Sequence, residues 1–129
     1  MNPHVQRVID SLQSGKITAH TGFGNSMRPI ILSGQKQILV PVLFDKEATK
    51  LGCKLFDPND VYKIGDLRYI NPDSLTEGDP VFCKVGGNIY THKIRAIRGV
   101  DREFQISRQD EKRINGWTRI IYGRCARTE

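Results

Sequence analysis

Ser26 is the residue best placed in this sequence to act as a nucleophile. It lies in Gly22-Phe23-Gly24-Asn25-Ser26-Met27, ahead of Pro29 and the apolar pair Ile30-Ile31. Glycines on the approach permit positive φ angles and close passage of backbone, so N–H groups around the serine can converge on a developing oxyanion. Gly24, Asn25 and Met27 are the expected backbone support. A serine in such a turn also has an ordinary role, satisfying neighbouring backbone groups. Chemistry therefore depends on a base.

A serine hydroxyl attacks at neutral pH only when a positioned His or a desolvated Lys takes its proton. The sequence offers His4, His20 six residues before the serine, and His92 within Ile89-Tyr-Thr-His-Lys-Ile-Arg-Ala-Ile97. Strand alternation divides that last stretch into Tyr90, His92, Ile94 and Ala96 on one face and Thr91, Lys93 and Arg95 on the other. His92 is thus expected inward and Lys93 outward. An outward lysine keeps its proton near neutrality, whereas an imidazole is already mostly neutral at pH 7. Lys93 is the second choice of base. A core histidine bonded to backbone is the plain structural alternative for His92. No orienting carboxylate stands out; Asp79 and Asp101 are candidates only as residues near strand ends.

These residues need elements to hold them. Val5, Val8, Ile9 and Leu12 recur at helical spacing, with Asn2 as N-cap, Pro3 at the first helical position and Gly15 beyond the end, predicting a helix over about 3–14. Short β-type runs follow: ITAHTGF, QILVPVLF, LRYI, PVFCKV, NIYTHKIRAI, EFQIS and TRIIYG. Gly86-Gly87-Asn88 suits a tight hairpin leading into the His92 strand, and Asn115-Gly116 suits another. Trp117 reads as a core or rim anchor. Asp45–Asp66 breaks the pattern with a short helix ending at Gly52 and a loop at Asp57-Pro58-Asn59, an insertion between strands. The fold expected is mainly β: a coiled sheet or partly closed barrel with one short N-terminal helix, in a single domain spanning 1–129.

With 129 residues, 38% hydrophobic and 26% charged, the chain can bury one core and is neither disordered nor fibrous. No apolar run approaches the length of a membrane helix, so no membrane anchor is expected. Cys53, Cys83 and Cys125 show no CxxC or Cys/His spacing; they read as reduced cytosolic thiols, with no metal and no cofactor. A net charge of +6 allows weak nucleic-acid attraction, but the basic residues alternate with apolar and acidic ones as solvated strand faces do.

GNSMRPIILSGQ resembles the Ser-Met box of the LexA/signal-peptidase superfamily: small-x-Ser-Met-x-Pro, an apolar pair, then Gly-Asp or Gly-Gln. EGDPVFCKVGGNIYTHKIRAIRG resembles its second box, a hairpin whose second strand carries the general base followed by a basic and an apolar residue. The resemblance covers about residues 20–40 and 68–123. It puts His92 where LexA-like proteins and bacterial signal peptidases have lysine, an arrangement similar to that of endoplasmic-reticulum-type signal peptidases. The C-terminal FQISRQDEKRINGWTRIIYG resembles the end of small phage and prophage members.

The resemblance implies a serine endopeptidase with a Ser26/His92 dyad acting on a protein or peptide; the reduced thiols and the lack of a long apolar run point to a cytoplasmic setting, and a second copy of the chain is an open option as partner. A non-catalytic binding module of the same fold, acting on a host protein or nucleic acid, is the alternative. Several departures from the family matter. No helix-turn-helix or membrane anchor precedes the Ser box, and no Ala-Gly or Cys-Gly bond is present for LexA-like self-cleavage. Position 24 is glycine, as in LexA-like members, where signal peptidases carry a serine that helps build the oxyanion hole, so backbone N–H groups, that of Ser26 included, would have to form it.

Overall fold

A computed structural model describes residues 2–129. The first element is a helix, α1 (Pro3–Gln13), where the apolar spacing predicts one. Asn2 caps it by accepting the His4 N–H through its side chain at 2.8 Å. Val8, Ile9 and Leu12 are buried, each worth roughly 1.5–3 kcal/mol of transfer free energy. The chain then runs through β1 (Thr18–Thr21), β2 (Lys36–Pro41), α2 (Asp45–Leu51), β3 (Lys54–Leu55), β4 (Arg68–Tyr69), β5 (Pro80–Val85), β6 (Asn88–Arg98), β7 (Glu103–Ser107), β8 (Ile114–Thr118) and β9 (Ile121–Thr128).

Seven of these strands form one antiparallel sheet in the order β1-β2-β9-β5-β6-β7-β8. The fold is therefore mainly β, as expected. The pairing is open: β1 and β8 are edges, and no hydrogen-bonded closure makes a barrel among the described residues. Both faces are covered. Leu39, Phe82 and Cys125 pack with α1, Met27 and Ile31 on one side; Ile38, Val40, Val81, Cys83, Val85, Ile94 and Phe104 build the larger core on the other. Burial on both faces is why β2 reads as a nearly continuous apolar run rather than an alternating one.

Residues 45–66 contain α2, which ends at Gly52 in the left-handed region, and β3, which pairs in parallel with β4 outside the main sheet. Phe56 and Tyr62 from this stretch pack on the larger core. In β6 a bulge between Ile94 and Ala96 shifts the alternation, so that Ile97, not Ala96 as alternation predicts, packs on the core with Ile94. The three cysteines are free. No helix among the described residues is long and apolar enough to cross a membrane.

Candidate functional site

The Ser26 turn is held on both sides. Met27 and Ile31 are buried against α1, and the Ile31 N–H closes back on the Met27 carbonyl at 2.9 Å. The Ser26 carbonyl accepts the Gln109 N–H at 2.8 Å, tying the turn to the loop between β7 and β8. Gly24 adopts φ 125°, a conformation that a side chain would strain. Its N–H donates to Ser33 Oγ at 3.0 Å, so Gly24 shapes the turn and its own N–H is already taken. Asn25 accepts the Arg28 N–H at 3.3 Å through its carbonyl. No backbone carbonyl accepts the Ser26 or Met27 N–H among the described residues.

His92 is presented by a hairpin whose Gly86-Gly87 turn has φ of 57° and 80° and sets Val85 opposite Asn88. Its ring is buried, stacked on Tyr90 at 4.4 Å between centroids and 12° between planes. Nε2 lies 3.0 Å from Ser26 Oγ, and Nδ1 lies 2.7 Å from Asn115 Oδ1. An amide oxygen only accepts, so the imidazole proton sits on Nδ1 and the Nε2 lone pair faces the serine hydroxyl. Burial lowers the His92 pKa below 6.5 and the nearby Arg108 guanidinium adds to this, against the opposing hydrogen bond from Asn115. The ring is neutral at pH 7, as a general base must be.

Asn115 is the residue that sequence reasoning missed. Asn115-Gly116 does not form a hairpin turn: both lie within β8, where a bulge pairs Ile106 with Gly116 and Ser107 with Ile114 and leaves Asn115 over. The bulge turns the Asn115 side chain toward His92. Asp79 instead caps its own turn by accepting the Thr76 N–H, and Asp101 pairs with Arg119 at 3.1 Å. Lys93 is in an ion pair with Glu111 at 3.3 Å and does not line the cleft beside Ser26. It is less exposed than alternation suggests, its side chain only 14% accessible. Trp117 is a rim residue with the Arg98 guanidinium 3.9 Å above its ring.

A cleft of about 160 Å³ opens beside Ser26, between residues 22–24 and 89–92, with His20 and Gln37 also in its wall. On that side β6 has no partner strand before Lys93. Because Val85 and Asn88 flank a two-residue turn, Ile89 and Thr91 direct their backbone groups away from β5, toward this open edge. Phe23 is 86% exposed, and Ile30 and Leu32 are also exposed. Rival nucleophiles are suppressed: burial pushes the Cys83 thiol to about 12 and Cys125 to about 11, and raises Cys53 as well. No cluster of three metal-ligating side chains occurs among the described residues.

Comparison with protein-family models, curated proteins and solved structures finds no match.

Proposed function

We propose that this chain is a serine endopeptidase of the LexA/signal-peptidase superfamily, with Ser26 as nucleophile, His92 as general base and Asn115 as the orienting residue. The carrying observation is the continuous line Ser26 Oγ, His92 Nε2, His92 Nδ1, Asn115 Oδ1, with steps of 3.0 and 2.7 Å. The open edge at Ile89 and Thr91 supports an extended peptide as substrate, since a peptide backbone can add there as a strand. The exposed Phe23, Ile30 and Leu32 favour a macromolecular partner over a small molecule. Free thiols fit a cytosolic setting.

In the first half-reaction Ser26 Oγ bonds to the scissile carbonyl carbon while its proton passes to His92 Nε2. The Ser26 and Met27 N–H groups receive the oxyanion. Collapse breaks the C–N bond, and the leaving amine takes the proton from Nε2. Water then attacks the acyl-serine, giving its proton to Nε2 and restoring Ser26. Asn115 holds the ring but carries no charge to offset the imidazolium, and Arg108 disfavours that cation. Turnover is expected to be slow relative to enzymes with a carboxylate at this place.

The basic residues give less support to nucleic acid as the main partner. Arg95, Arg98, Arg108 and Arg119 all pair with acidic side chains, which breaks up a continuous cationic face.

The test is labelling by a fluorophosphonate probe with mass-spectrometric site mapping, together with cleavage of a peptide library, for wild type, Ser26→Ala and His92→Ala. Labelling is expected at Ser26, lost in Ser26→Ala and reduced by about 10³-fold or more in His92→Ala. A wild type that neither labels nor cleaves at pH 8 retires the enzyme reading and leaves a peptide-binding module.

A further inference from the structure

We infer that the cleft beside Ser26 selects a substrate side chain ending in a neutral carboxamide, that of glutamine or asparagine, through Gln37, Thr91 and His20. The inference rests on the peptidase reading and names its substrate class. Gln37 is a polar residue only 4% exposed, placed on β2 among apolar neighbours. Its Oε1 accepts the Thr91 hydroxyl proton at 2.7 Å across 54 residues of sequence. That bond consumes the acceptor end of the amide and leaves the Nε2 donors over. A Cβ built on Gly22 would lie 3.4 Å from Gln37 Nε2 and 3.5 Å from His20 Nε2. Both nitrogens therefore converge on the strand end that leads to Ser26, and all these residues line the cleft.

His20 adds a second donor. Its Nδ1 is buried with no hydrogen-bond partner, and its ring packs edge-on against Phe82 at 5.0 Å and stacks on His4 at 5.6 Å. Burial and the neighbouring His4 lower its pKa, so the ring is neutral at pH 7. A neutral imidazole carries one N–H, and burying it unpaired at Nδ1 is the costlier choice, which puts the proton on Nε2.

The cleft thus presents N–H donors from Gln37 and His20 beside the Thr91 hydroxyl oxygen, whose lone pairs accept. Its lining contains no Lys, Arg, Asp or Glu. A carboxylate entering it would lose water without gaining a countercharge. An aliphatic side chain would leave the Gln37 and His20 donors without acceptors. A carboxamide satisfies both sides: its oxygen accepts from Gln37 and His20, and its NH2 donates to Thr91 Oγ1. A cleft of about 160 Å³ has room for such a side chain and adjoining backbone.

The experiment titrates wild-type protein, with His20 ring resonances followed by NMR, against the N-acetyl methylamides of glutamine, asparagine, glutamate and leucine. The carboxamides are expected to bind about 10-fold or more tightly than the other two, and Gln37→Met and Thr91→Val are expected to erase the preference. Equal binding of all four, or binding of none, overturns the inference. If a variant fails to fold, the wild-type ligand series decides alone. Fluorophosphonate labelling on the same sample reads the nucleophile separately. Labelling without carboxamide preference defeats the pocket alone, and preference without labelling defeats the peptidase reading alone.

Discussion

Replacing Asn115 by alanine tests the relay at the residue on which it turns. Asn115 Oδ1 accepts a hydrogen bond from His92 Nδ1–H at 2.7 Å; without it a buried N–H has no partner and nothing selects the productive tautomer. Leaving such a donor unpaired costs about 1–3 kcal/mol. If that cost falls on the transition state, the acylation rate drops about 5- to 150-fold at roughly 1.36 kcal/mol per decade. The pH profile gives an independent sign. The labelling rate is expected to rise with pH as His92 loses its proton, with an acid limb below 6.5 because burial and Arg108 outweigh the bond to Asn115. Asn115→Ala removes the one influence that raises this pKa, so the limb moves to lower pH. Asn115→Asp places a carboxylate against Nδ1, favours the imidazolium and moves the limb to higher pH. The assay is the second-order rate of fluorophosphonate labelling between pH 5 and 8, with circular dichroism to confirm folding. An alanine variant that is folded, within about twofold of wild type in rate and unmoved in its acid limb refutes the reasoning.

The lowered pKa values of His20 and His92 carry a stability consequence. Below 6.5 the unfolded chain binds protons at both sites before the folded chain does, so their contribution is present above 6.5 and is lost as pH falls through the folded values. Thermal unfolding should show Tm falling from pH 7 into this window, with a shallower slope in His20→Gln; an unchanged slope would count against the burial of that ring as its cause. Gly24→Ala meets no atom within 4 Å, yet its φ of 125° strains any side chain; at about 1–3 kcal/mol of backbone strain, Ser26 labelling should slow while the far-ultraviolet spectrum is kept. Gly123→Ala has no such angle but brings a Cβ within 3.1 Å of the Val40 carbonyl and 3.2 Å of Leu12, so chemical denaturation should show a loss of about 1–3 kcal/mol.

Much of the fold was legible because it is written in local patterns. Helical spacing gave α1, and its cap was readable in Asn2-Pro3. Gly86-Gly87 marked the hairpin because only residues that tolerate positive φ close a two-residue turn. Period-two alternation gave His92 an inward side chain. The same rule failed four residues later, where the bulge at Ile94/Ala96 moved Ile97 into the core in place of Ala96. Asn115-Gly116 misled for a related reason: a glycine at φ 128° serves a bulge as well as a turn, and the dipeptide carries the same local mark in both.

The sequence by itself determined a mainly β chain with one N-terminal helix, a serine in a glycine-rich turn and a histidine on the inner face of a hairpin strand. Only the tertiary structure decided what those residues meet. Ser26 and His92 are 66 residues apart, His92 and Asn115 are 23 apart, and Gln37 and Thr91 are 54 apart. Propensity and periodicity act over a few residues, whereas these contacts depend on strand order, on register and on a one-residue bulge that re-aims a side chain. Asn115 meets His92 through that register, in a position that local sequence could describe only as a turn.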